Sequence, residues 1–134
     1  YPRQIIGRSV GAALAMGNAA VLKPAEEACL TALAFAELAQ RAGLPAGALN
    51  VVPGLGAEAG AALSAHAGVR HLSFTGSVAV GKLVQQAAGQ NVVPVTLELG
   101  GKSPQLVFDD ADIEIDCLCC FIEFYYKIVY IFYL

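Results

Sequence analysis

Lys23 and Glu26, in "LKPAE", set a cation and a carboxylate three residues apart, with a proline between them. Small residues recur downstream: Pro53, Gly54 and Gly56 in "VVPGLG", then Thr75, Gly76, Ser77 and Gly81 in "FTGSVAVG". A further carboxylate, Glu98, stands in "VTLELGGKSP" ahead of Leu99, Gly100 and Gly101. Taken together, the first three groups supply what a nucleotide requires. A cation and glycine-lined backbone can approach phosphate, a carboxylate can accept from a ribose diol, and a helix opened by Ser77 favours an anion at its start. Glu98 poses a different problem, since a carboxylate in an apolar run is costly unless it is paired, protonated or used.

These residues need elements to hold them, and the sequence alternates helical and strand-like segments. Helical spacing and a glycine stop mark "RQIIGRSVGAALAMG" (to Gly17) and "CLTALAFAELAQRAG" (to Gly43) as helices. "AEAGAALSAHA" and "VAVGKLVQQAAG" read as two more. Short apolar runs ended by Pro or Gly, "NAAVLKP", "ALNVVPG", "VRHLSFTG", "VPVTLEL" and "PQLVF", read as strands. The alternation predicts an α/β fold, a Rossmann-like parallel sheet with helices on both faces. In such sheets ligands bind beyond the carboxyl ends of the strands. Lys23, Gly54 and Gly76 each fall at such an end.

Each residue also has a plainer reading. Lys23 could be a solvated loop lysine, Glu26 a partner for a helix dipole, and Gly54 and Gly56 simple turn formers. His66 and His71 read as surface or packing residues. "GSVAVGKL" resembles a P-loop, but Leu83 stands where that motif needs a magnesium-binding Ser or Thr, so the nucleotide-triphosphate alternative is disfavoured.

Bulk properties narrow the function classes. The 134 residues carry a net charge of -3 with only 8 Lys+Arg, which gives no basic footprint for nucleic acid. Cys29, Cys117, Cys119 and Cys120 fit neither a disulfide framework nor a zinc site, so no metal is expected and a cytoplasmic setting is. The chain opens mid-pattern without Met, and an excerpt of a longer protein, an incomplete domain, is expected. Residues 115–134 break abruptly with the Ala/Gly/Val-rich residues before them: they are aromatic and apolar, without Gly or Pro. A buried core segment and a membrane span are both weighed for this tail; the reading preferred is a segment foreign to the preceding domain. Exposed, it would be an aggregation hazard.

In order, "GNAAVLKPAE", "GLPAGALNVVPG", "SFTGSVAVGK" and "VTLELGGKSPQLVFDDAD" closely resemble the aldehyde dehydrogenase superfamily over residues 1–114. The resemblance implies part of an NAD(P)-binding domain there, followed at 115–134 by a tail that does not match. It implies that Lys23 and Glu26 hold the adenosine ribose, favouring NAD while leaving NADP possible, because a carboxylate repels a 2′-phosphate. It places Pro53, Gly54 and Gly56 beside the adenine. It turns Thr75, Gly76, Ser77 and Gly81 toward the pyrophosphate, with Leu99 and Gly100 completing the cofactor-facing set. Glu98 becomes the general base that activates water against a cysteine thioester, on a Gly100-Gly101 turn that lets it move.

The resemblance further implies an aldehyde substrate and a homo-oligomeric parent enzyme. No nucleic acid or membrane partner is expected unless the tail is genuine. The family's nucleophilic cysteine has no counterpart in this sequence: Cys117, Cys119 and Cys120 come too early and lack its context. The chain alone is therefore expected to be inactive in aldehyde oxidation. A non-catalytic remnant with a self-associating or membrane-attached tail is the alternative.

Overall fold

Apolar residues at helical spacing open the chain as α1 (Pro2–Ala15), which buries Ile6 and Val10 against β1 (Ala20–Lys23). A single 3-10 turn (Glu26–Ala28) leads into α2 (Cys29–Arg41), then β2 (Leu49–Val51). A π turn (Gly56–Gly60) runs into the short α3 (Ala61–Ser64), followed by β3 (His71–Gly76), α4 (Val78–Gly89) and β4 (Val95–Leu99). The last element is β5 (Val129–Tyr133). This computed structural model describes the backbone of residues 2–100 and 129–133 and the side chains of residues 4–100. The expected strand "PQLVF", Gly101, the three clustered cysteines and most of the tail lie outside the described residues.

The sheet order is β2-β1-β5-β3-β4. β1 pairs with β2 and β3 with β4 in parallel, as the strand–helix–strand spacing predicts. β5 lies between the two pairs and is antiparallel to both neighbours. The parallel expectation thus holds for β1 to β4, and the tail contributes a central strand of opposite direction.

Strand alternation divides the core between two faces. Ala20 and Leu22 pack with α1, α2 and β2, joined by Val10, Ala32, Leu49 and Val51. Val21, Leu72 and Phe74 point the other way, onto Val84 and Ala88 of α4 and Leu63 of α3. Leu22, Leu72, Phe74 and Val10 are completely buried, each worth about 1.5–3 kcal/mol of transfer free energy. α2 buries only Ala32 and leaves Leu30 and Leu38 largely exposed, an apolar surface that these elements do not cover.

One strained residue stands away from the strand ends just named. Val92, in the turn from α4 to β4, holds φ at 56° although it is β-branched and almost fully exposed. The left-handed conformation costs an L-residue roughly 1–2 kcal/mol, part of which glycine gives back through its freer unfolded chain. Val92→Gly is therefore expected to stabilise the fold by about 0.5–1 kcal/mol in urea unfolding.

Candidate functional site

The functional candidates converge on the edge formed by the carboxyl ends of β1 to β4. On the β1 side, Lys23 is the last residue of its strand and is completely buried, which excludes the solvated-lysine reading. Its Nζ lies 3.3 Å from Glu26 Oε1. Glu26 opens the 3-10 turn that leads into α2, and its Oε1 also accepts from the Gly56 backbone N–H at 2.6 Å. This bond, which sequence reasoning did not find, ties the turn after β1 to the turn after β2. Gly56 is therefore a structural partner of the carboxylate as well as a small residue. Pro53 and Gly54 are exposed beside it. Gly54 holds φ at 151°, and a Cβ there would meet Ala59.

Partial burial, the largest single influence on Glu26, pushes its pKa upward. Hydrogen bonds from its own backbone N–H, from Gly56 and from Lys23, with the Lys23 charge, together outweigh burial and hold it below the ordinary glutamate value. A depressed folded-state pKa means that this stabilisation is fully present above the unfolded value, about 4.3, and disappears as pH falls through the lower folded value. Thermal denaturation of wild type and Glu26→Gln should accordingly show a stability difference that narrows only below about pH 4.

On the β3 side, Thr75 and Gly76 end the strand, and Ser77 is the N-cap of α4. The Ser77 hydroxyl accepts from the Val80 N–H at 3.3 Å, a cap worth about 1 kcal/mol. The first turn of α4 holds no acidic residue, so its positive end is open to an anion. Gly76 is buried, and a Cβ at this position would overlap the Phe74 ring. Gly81 is buried within α4, where a Cβ would lie 2.7 Å from Leu99. Its evident work is the close seating of α4 on β4, with Leu99 as the contacting side chain.

Glu98 lies on β4, paired with Thr75 across the ladder. Leu97 and Leu99 join the α4-side core, whereas Thr96 and Glu98 alternate onto the other face. There His71 Nε2 and Thr96 Oγ1 lie 3.1 Å apart. Glu98 is half-buried, and "TLEL" alternates, with Thr96 and Glu98 on the face turned from α4. Gly100 follows directly and is half-buried. Neighbouring strands lie about 4.8 Å apart, so the ends of β1 and β3, separated by β5, stand roughly 10 Å from each other. One extended ligand can therefore touch Glu26 and Ser77 together.

This arrangement is shared with known proteins. The sequence profile of the aldehyde dehydrogenase family matches residues 1–124. The chain is 55% identical over 114 residues to a hydroxyisobutyraldehyde dehydrogenase of Mycolicibacterium austroafricanum, covering 85% of this chain and 23% of that protein. It is similar to a crystal structure from Burkholderia cenocepacia, assigned provisionally to the aldehyde dehydrogenases, with TM-score 0.77 and 70% identity over 87% of this chain and 24% of that one. It is also similar to PnpE in complex with nicotinamide adenine dinucleotide, with TM-score 0.76 and 44% identity over 84% of this chain and 23% of that one. The chain spans about a quarter of the length of each of these relatives.

Proposed function

The chain belongs to the aldehyde dehydrogenase family, and from that premise we propose that it forms part of the dinucleotide-binding domain of an enzyme that oxidises an aldehyde to a carboxylic acid. The observation that carries this reading is the Lys23–Glu26–Gly56 cluster, set on the same sheet edge as the capped start of α4.

The residues fit NAD. The Lys23 and Gly56 contacts of Glu26 both fall on Oε1, and Oε2 would accept from a ribose hydroxyl while buried Lys23 holds the carboxylate in place. Pro53 and Gly54 offer an exposed, small surface for an adenine face. The Ser77 hydroxyl, already accepting from Val80, can donate its proton to a pyrophosphate oxygen, beside the positive end of α4. Gly76, and Gly81 packed on Leu99, keep that helix start close to the sheet. Bound there, the dinucleotide would supply the acceptor for the hydride that leaves the substrate.

Glu98 and Gly100 serve the later step. A family cysteine with no counterpart in this sequence would carry the acyl group as a thioester. The Glu98 carboxylate would take a proton from the water that attacks the thioester carbon, and return that proton to the departing sulfur as the carbon–sulfur bond breaks, giving the carboxylic acid and the free thiol. Its position on the face of β4 turned from α4 suits a base that must meet groups from elsewhere in the enzyme. A homo-oligomeric parent and a reducing, cytosolic setting complete the reading.

Titration calorimetry on the 134-residue chain tests it. NAD is expected to bind saturably and more tightly than NADP. Glu26→Gln keeps an acceptor for Gly56 but loses the charge; it should weaken NAD by about tenfold or more, as for a charge-assisted hydrogen bond, and narrow the preference over NADP. Equal affinity for both dinucleotides in the wild type would sink the assignment of Glu26. No aldehyde oxidation is expected from this chain.

A further inference from the structure

The turn that carries Pro53 and Gly54 is anchored at both ends. At its start the Val52 N–H donates to the Leu22 carbonyl at 2.9 Å, beside the β1–β2 ladder. At its end the Gly56 N–H donates to Glu26 Oε1 at 2.6 Å. Residues 53 to 55 alone lie between the two bonds. The surface offered to an adenine and the carboxylate offered to a ribose are thus one mechanical unit, closed by the Gly56 bond.

That bond also fixes where the carboxylate stands. Lys23 Nζ reaches the same oxygen at 3.3 Å from the end of β1, so Glu26 is held between a strand end and a distant turn. A ribose diol is accepted by a carboxylate in place, whereas a 2′-phosphate repels it and requires it to move aside. Moving aside breaks the bond to Gly56, which is short and charge-assisted. It also releases one end of the Pro53–Gly54 turn.

We propose that the Gly56 backbone N–H is a specificity-determining group of the cofactor site, holding Glu26 against displacement so that a 2′-phosphorylated dinucleotide disrupts the adenine surface as well as meeting the carboxylate's charge. Gly56 acts through Glu26 and is a positioning residue. The inference rests on the cofactor reading above and extends it, from which residue discriminates to what keeps that residue in place. Lys23 is the cation paired with Glu26; Glu27 and Glu58, the other carboxylates of the two turns, are exposed.

Gly56→Pro in the full chain removes this N–H where proline fits. Leu55 holds φ −68° and ψ 144°, the extended conformation required ahead of proline, and Gly56 opens its turn without a positive φ. Gly56→Ala keeps the N–H and is the control. In titration calorimetry the preference for NAD over NADP should fall by about tenfold in Gly56→Pro, as for a lost charge-assisted hydrogen bond. It should stay close to wild type in Gly56→Ala. A merely structural effect of proline would weaken both dinucleotides alike and leave their ratio unchanged, which would overturn the proposal.

Wild type supplies a readout that no folding defect can obscure. Its Gly56 amide resonance should follow the ionisation of Glu26 with pH, and its protection from hydrogen exchange should survive saturation with NAD but not with NADP. Burial raises the Glu26 pKa and hydrogen bonds lower it, that from Gly56 among them, so Gly56→Pro should also move it upward. A Gly56 amide indifferent to Glu26, or equally protected with either dinucleotide, would overturn the proposal while the NAD preference of wild type stood. Absence of that preference in wild type would strike the cofactor reading itself, and this inference with it.

Discussion

Glu26→Ala should destabilise the chain by about 2–3 kcal/mol, whereas Lys23→Met should change its stability by less than about 1 kcal/mol. The two residues share one ion pair, but they sit in different media. Lys23 is completely buried at the end of β1, while about a third of the Glu26 side chain is exposed, 0% against 33%. Removing Glu26 takes from a buried ammonium the carboxylate 3.3 Å away, and the attraction that offset part of its desolvation cost is lost. It also removes the acceptor for the Gly56 N–H, freeing the turn after β2 from the turn after β1. Removing Lys23 instead substitutes an uncharged chain of similar length at a buried position, and Glu26, a third of whose side chain is exposed, can turn to water. Urea unfolding of the three proteins measures the asymmetry. Similar losses for both variants would mean that the pair acts as an ordinary surface ion pair.

Gly76→Ala is the second large effect, a loss of about 2–3 kcal/mol. The added methyl would overlap the Phe74 ring, which is completely buried in the cluster with Leu72, Val84 and Ala88, so the ring can yield only by displacing core neighbours. Gly76 adjoins the Ser77 cap, so a shift there also disturbs the start of α4 and should weaken dinucleotide binding. Gly81→Ala is the control. Its methyl would press on the end of Leu99, a flexible side chain that is only half-buried, and alanine gains about 1 kcal/mol of helix propensity over glycine. Gly81→Ala should thus be near neutral in thermal melts while Gly76→Ala is not.

Much of this architecture was legible because local signals agree. Pro24 and Pro53 end short apolar runs, Gly17 and Gly43 stop amphipathic helices, and Ser77 precedes a glycine-spaced helix; each boundary is set by residues close to it. The strand ends, and with them the candidate residues, followed from that alternation. What escaped notice depends on distant partners. The bond from Gly56 to Glu26 joins residues thirty apart, and only the packing of β1 beside β2 brings them together. The seating of Gly81 on Leu99 similarly requires α4 to lie on β4. Glu98 stands in an apolar run, and the period-two signal of "TLEL" assigns it to the face turned from α4. The strand at 129–133 gave no signal at all, because an unbroken apolar tail has no alternation to mark a face or a register.

The central claim is that a dinucleotide lies across the carboxyl edge of the sheet, with its ribose at Glu26 and its pyrophosphate at Ser77. Amide chemical-shift mapping of the full chain during NAD titration tests it most directly. The account predicts saturable shifts at Lys23, Glu26, Gly54, Gly56, Gly76 and Ser77, and none at Asn18, Gly47, Gly68 or Asn91 near the opposite edge. Shifts confined to that opposite edge, or saturation of the folded chain with Glu26 and Ser77 unmoved, would contradict it.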